Sequence, residues 1–220
     1  MKIFYISNLS NKHPYTRSIA KWFRYYGHTV EPFEMYDFAH NPRYSDPLVP
    51  RINQMNRELV QACLRFKPDM VFVFKGDTVF AASLEMIKKK LRPIMATWWV
   101  DDPFCALDSA LNVRPYTHSL ESLRIWDHFF IYETYFLERL KRIGVSNPSY
   151  LPSATDTAYF SRIQKKNPRD RRFYGSDLSF IGTPDRLRAE MVRSLKGFDL
   201  RLWGVPWHDP YFRRKQKKTE

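Results

Sequence analysis

Cysteine is scarce: Cys63 and Cys105 are the only two in 220 residues, and neither stands in a CxxC pattern. That argues against a disulfide framework or a thiolate zinc site. The six histidines, His13, His28, His40, His118, His128 and His208, are scattered without HExxH or paired-ligand spacing, so no metal site is expected. No uninterrupted apolar run is long enough to cross a bilayer. Met1 leads directly into KIFYIS, without the basic and apolar regions of a signal peptide, so a cytoplasmic protein is expected. The first strand-to-helix loop, SNLSNKHPY, contains no glycine. The GxGxxG turn that lets a backbone approach a pyrophosphate is therefore missing, which disfavours a dinucleotide site there. RNP, KH, zinc-finger and helix-turn-helix signatures are also lacking, so nucleic acid is not an expected partner.

What the chain has in quantity is apolar surface and positive charge. Hydrophobic residues make up 44% and aromatics 16%, enough for a packed core. The formal charge is +13, with clusters at Arg162–Arg172 and Arg213–Lys218. A positive field of this kind attracts anionic partners without specifying a fold. The same clusters also fit a solvated linker and a frayed terminus.

The hydrophobic pattern reads as alternating strands and helices. Lys2–Ser7 is a strand, a helix runs from about Tyr15 to Tyr26, Gly27 stops it, and Thr29–Phe33 is a second strand. Residues 34–50, with several prolines and aromatics, read as a long loop. Ile52–Phe66 has helical periodicity, and MVFVF (70–74) is a continuous apolar run suited to a central parallel strand. A helix over Val79–Leu91 precedes the strand Pro93–Trp98, and a short helix covers Leu120–Leu123. A fifth strand spans Trp126–Tyr132, and a helix ends near Arg142. Five such steps predict an α/β fold with a Rossmann-like parallel sheet.

Open α/β sheets place their ligands beyond the carboxyl ends of the strands. Asn8, Lys75, Asp77, Trp99 and Glu133 fall there and are candidate substrate contacts. Plain turn and cap chemistry is the simpler account of Asn8, and Lys75 could simply pair with Asp77 or Asp101 to hold the loops. TWWVDDP puts the adjacent Asp101 and Asp102 at the end of the fourth strand, where Pro103 prevents continuation.

Beyond a basic linker (161–176) the pattern restarts: strand Leu178–Ile181, helix Pro184–Leu195, strand Phe198–Trp203. The expected organisation is a Rossmann-like domain over 1–160, the linker, and an incomplete second domain over 177–220. One βαβ unit cannot close a core of its own, so this part leans on the first domain or the chain is a fragment.

KPDMVFVFKG, TWWVDDP, DHFFIYETYFLERLKRIGV, LPSATDTAYF, DLSFIGTPDRLRAEMVRSL and DLRLWGVPW follow one another over roughly Lys67–Trp207. This ordered set resembles the CgeB/YkvP spore-maturation glycosyltransferase-like family. The resemblance implies the GT-B arrangement: an acceptor-side and a donor-side Rossmann-like domain, no obligatory metal and no cofactor beyond a nucleotide-sugar donor. It implies transfer of a sugar to a glycan or other hydroxyl acceptor, with retaining chemistry by analogy. Asp101 or Asp102 would be the general base; the alternative is that Asp101 pairs structurally while Asp102 orders the Pro103 turn. Gly182, Thr183 and Arg186 would meet the donor phosphates at a helix N-terminus, or form an ordinary capped helix. Most of the family's second domain is missing, so a truncated or non-catalytic binding module keeping the acceptor half is the alternative.

Overall fold

The computed structural model describes residues 1–9, 14–35, 48–76, 78–104, 123–158, 167–182 and 186–204. The chain divides into two compact units, Met1–Phe160 and Ser161–Glu220. In the first, strands β1 (Lys2–Ser7), β2 (Thr29–Glu34), β3 (Met70–Phe74), β4 (Ile94–Trp99), β5 (His128–Ile131) and β6 (Pro148–Tyr150) form one sheet in the order β2-β1-β3-β4-β5-β6. Every neighbouring pair is parallel. Helices α1 (Pro14–Tyr25), α2 (Leu48–Phe66), α3 (Ala81–Leu91) and α4 (Leu137–Arg142) connect the strands. The fold is α/β and Rossmann-like.

Strand alternation divides the core between the two sheet faces. Phe4, Ile6, Val71, Val73, Met95, Trp99, Phe129 and Ile131 pack with α2, α3 and α4 on one face. Ile3, Tyr5, Phe72, Phe74 and Ala96 pack with Ala20, Ile19 and Phe23 of α1 on the other. Only α1, among the described helices, contributes to that second cluster. α1 ends where Gly27 takes φ +81° and the Tyr26 and His28 amides donate back to Trp22 and Phe23 carbonyls, both at 3.1 Å.

In the first unit, two elements depart most from the sequence reading. α2 begins at Leu48 and not Ile52, because Pro50 lies in its first turn, where a missing N–H needs no partner. β6 is a sixth strand in the segment read as a mere lead-in. Its three residues carry no periodicity of their own and are ordered by pairing with β5. The short helix expected at Leu120–Leu123 falls outside the described residues except for Leu123.

In the second unit, β7 (Leu178–Ile181) and β8 (Leu200–Trp203) pair in parallel, with α6 (Arg186–Ser194) between them in sequence. A further helix, α5 (Pro168–Tyr174), lies within the stretch read as linker. Asn167 caps it by accepting from the Arg169 amide at 3.0 Å, with Pro168 at the first helical position. Phe173 and Tyr174 of α5 set their rings 5.6 and 5.3 Å from that of Trp203. Gly204, at φ +129°, lets its backbone approach Gly182; a Cβ there would lie 2.5 Å from the Gly182 carbonyl oxygen.

Candidate functional site

The chain leaves β1 toward β2 on one side and returns to β3 on the other, so the order reverses between β1 and β3. In open parallel sheets such a reversal opens a crevice beyond the carboxyl ends of the two strands. Ser7 and Asn8 follow one side of it, Lys75 and Gly76 the other. Ser7 is fully buried, and its hydroxyl has no hydrogen-bond partner among the described residues. Asn8 is also buried, with its carbonyl accepting the Thr16 hydroxyl at 2.6 Å, which ties this loop to the first turns of α1.

Lys75 stands at an unusual backbone position. Its φ is +67°, and the Gly76 amide donates across it to the Phe74 carbonyl at 2.9 Å. A γ-turn with positive φ at a non-glycine residue is strained. The surroundings hold it in place. The Lys75 amide donates to the Trp98 carbonyl at 2.9 Å, and Val79 donates back to Gly76 at 3.0 Å. Behind the turn, the buried Asn56 of α2 donates to the Thr78 carbonyl at 2.9 Å and accepts the Phe80 amide at 2.8 Å. The fixed turn brings Lys75 Nζ to 2.6 Å from Asp101 Oδ2. Both partners keep solvent contact, with side-chain exposures of 30% and 57%.

At the end of β5, Tyr132 donates its amide to the Trp99 carbonyl at 3.2 Å. Burial and then the negative charges of Glu133 and Asp101 raise its phenol above the ordinary tyrosine range. Lys75, Asp101, Tyr132 and Glu133 are thus gathered beyond three adjacent strand ends. The cluster offers a paired carboxylate as proton acceptor, a cation and a hydroxyl donor. Tyr132 escaped the sequence reading because it read as the last residue of an apolar strand.

The remaining sequence candidates fare differently. Asp102 Oδ1 accepts the Phe104 amide at 2.8 Å and so orders the turn around Pro103. Trp99 is only 3% exposed and stacks on Phe129 in the core. Alternation along β4 turns the adjacent Trp98 to the opposite, more open face. Asp77 and Thr183 lie outside the described residues. In the second unit the Gly182 amide donates to the Trp203 carbonyl at 2.9 Å, and Arg186 is the first residue of α6.

On the α1 face of the first unit lies a cleft of about 630 Å³. Ile19, Trp22 and Phe23 of α1, with Tyr26 just after it, form one wall, and Phe74, Trp98 and Val100 form the floor. The segment Ser153–Asp156 closes the rim. Trp98 Nε1 donates to the Leu151 carbonyl at 3.2 Å, and its ring meets Phe74 edge-on at 5.4 Å. Asp156 accepts from the Ser18 hydroxyl at 2.7 Å, the Lys21 ammonium at 3.2 Å and the Ala158 amide at 3.1 Å. These bonds, led by Ser18, hold its carboxyl below the usual aspartate range. Nothing in the sequence distinguished Ser18 or Asp156, which meet only when the chain after β6 returns to α1.

Among the described residues no group of three or more His, Cys, Asp or Glu is placed to hold a metal ion, and no helix is long and apolar enough to cross a membrane. Burial pushes the Cys63 thiol up to about 12, a value for packing and not for nucleophilic chemistry.

The α/β fold with its parallel sheet is one that GT-B-like solved structures share. No family model matches the chain, and no curated protein matches it. Solved structures do. The UDP co-structure of MnaA from S. aureus superimposes with a TM-score of 0.63 at 14% identity, covering 99% of this chain and 65% of that one. A sucrose-phosphate synthase from Thermosynechococcus elongatus gives 0.62 at 12%, covering 99% and 67%. The UDP-GlcNAc 2-epimerase of Methanocaldococcus jannaschii gives 0.58 at 15%, covering 100% and 71%. The chain therefore spans about two thirds of the length of these enzymes. At such identities the likeness is one of fold. The narrower resemblance to the CgeB/YkvP family finds no counterpart among these matches.

Proposed function

We propose that the chain is a glycosyltransferase-like protein that uses a nucleotide-sugar donor. The observation that carries this reading is the strand-end cluster of Lys75, Asp101, Tyr132 and Glu133 on a fold shared with enzymes of nucleotide-sugar chemistry. In the proposed reaction an acceptor hydroxyl gives its proton to the Asp101 carboxylate as its oxygen bonds to the anomeric carbon. The bond from that carbon to the nucleoside diphosphate breaks, and the diphosphate leaves with the electron pair. Lys75, 2.6 Å from Asp101 Oδ2, orients that carboxylate for the proton transfer. Asp102, whose Oδ1 is engaged by the Phe104 amide, keeps a turn-ordering role. The donor diphosphate is assigned to Gly182, Thr183 and Arg186 around the start of α6, where helix amides and a guanidinium suit phosphate oxygens.

Within this reading, the resemblance of the ordered segments over Lys67–Trp207 to the CgeB/YkvP family is the support for that narrower group. The acceptor is then a glycan or another hydroxyl compound, the location cytoplasmic, and the basic stretches an auxiliary anionic contact. The test is release of UDP or GDP from their sugars by the full chain, with Asp101→Asn as comparison. Release that falls at least tenfold in the variant supports the assignment. Donor binding without release, unchanged in the variant, would leave a binding module in place of a transferase.

A further inference from the structure

We infer that the cleft between α1 and the sheet binds a neutral, flat, ring-bearing small molecule with one hydrogen-bonding edge. The inference does not rest on the transfer chemistry proposed above. Its volume of about 630 Å³ lies within the range of small-molecule pockets. Five of its lining side chains, Trp22, Phe23, Tyr26, Phe74 and Trp98, are aromatic. Aromatic walls favour ring faces and ring edges over a flexible alkyl chain, which loses rotamer freedom on binding without gaining stacking.

The floor is fixed before any ligand arrives. Trp98 is held by its bond to the Leu151 carbonyl and by the edge of Phe74. Such preorganisation lowers the ordering cost of binding. The small polar side chains gather at one rim, at Ser18, Ser153, Thr155 and Asp156. The Asp156 side chain is 3% exposed, and its charge is matched by Lys21 at 3.2 Å. The rim thus presents hydrogen-bonding groups without a net charge, which selects a neutral hydroxyl-bearing ring over an ionic one. At the far end Tyr26 is 72% exposed and in ring contact with Trp22 at 6.4 Å, extending the aromatic surface outward.

Calorimetric titration of the full chain with 2-naphthol, and separately with 1-octanol, tests the inference. One saturable site for 2-naphthol, at least tenfold tighter than any for 1-octanol, is expected. Ala154→Trp, which fills the cleft from its exposed rim, should weaken naphthol at least tenfold. Tyr26→Ala, at an exposed position outside the core, should weaken it several-fold with an unchanged urea midpoint. Absence of saturable heat, equal affinity for octanol, or indifference to both substitutions would overturn the inference. So would a concentration-dependent dimer abolished by both variants, since a second copy of the chain would then be the occupant.

Discussion

Lys75 combines a backbone that lysine disfavours with a side chain that the proposed reaction requires. A strained turn persists where its surroundings over-determine it, and Asn56, the Trp98 carbonyl and the Asp101 pair all do so here. Glycine relieves such a turn, so Lys75→Gly should raise unfolding stability by roughly 1 kcal/mol while removing nucleotide release. Urea denaturation and the release assay read the two effects on the same protein. A less stable variant would show that the turn is not strained. The ion pair itself contributes little to stability, about 0–1 kcal/mol for partners this exposed.

Asp127 acts at the opposite, amino-terminal ends of β4 and β5. Its carboxylate accepts from the Met95 amide at 2.8 Å and the Lys88 ammonium at 2.7 Å, joining α3 to β4 and to the start of β5. Burial works against the charge, but the Lys88 and Met95 bonds prevail and lower its pKa below the ordinary 3.8. A lowered folded value means a contribution fully present above that ordinary value and lost as pH falls through the folded one. Asp127→Asn should therefore lose stability at pH 7 and show a flatter decline below about pH 4 than the parent protein. Urea midpoints measured across pH 2–7 provide the check, and an unchanged slope would remove Asp127 from the account.

At the scale of elements, the strands and helices with strong periodicity were legible from residues alone. Lys2–Ser7 and Met70–Phe74 coincide with β1 and β3, because a run of apolar or β-branched residues between turn signals has few other solutions. β6 and α5 were not legible. One is ordered by its neighbour and the other is headed by a cap hidden among basic residues. The glycines that close elements differ in what they tolerate. At Gly27, φ is +81° and nothing lies within 4 Å of an added Cβ. At Gly76, φ is +74° and a Cβ would sit 2.8 Å from Val73 Cγ1. Gly27→Ala should cost about 1–2 kcal/mol from backbone alone, and Gly76→Ala more, through the added clash beside Lys75. Paired urea titrations decide it; equal losses would contradict this reading of the β3 turn.

For the whole molecule, an all-parallel sheet followed from the repeated strand–helix pattern. The individual site was only partly legible. Lys75 and Asp101 could be named because strand ends can be counted, and their pairing was one of two alternatives open in the sequence. Tyr132 and the Ser18–Asp156 contact were beyond reach, since they depend on strand order and on a chain segment returning across 138 residues. Trp98 and Trp99 illustrate the limit: one residue of register decides which of two identical side chains faces the core.

Calorimetric titration of the full chain with UDP and with GDP, at matched ionic strength, bears most directly on the central claim that this fold serves nucleotide-sugar chemistry. The account expects one saturable site for one of the two nucleotides, weakened at least tenfold by Arg186→Ala. Heat that is absent for both, or that vanishes with added salt alone, would reduce the binding to non-specific attraction by a basic chain and contradict it.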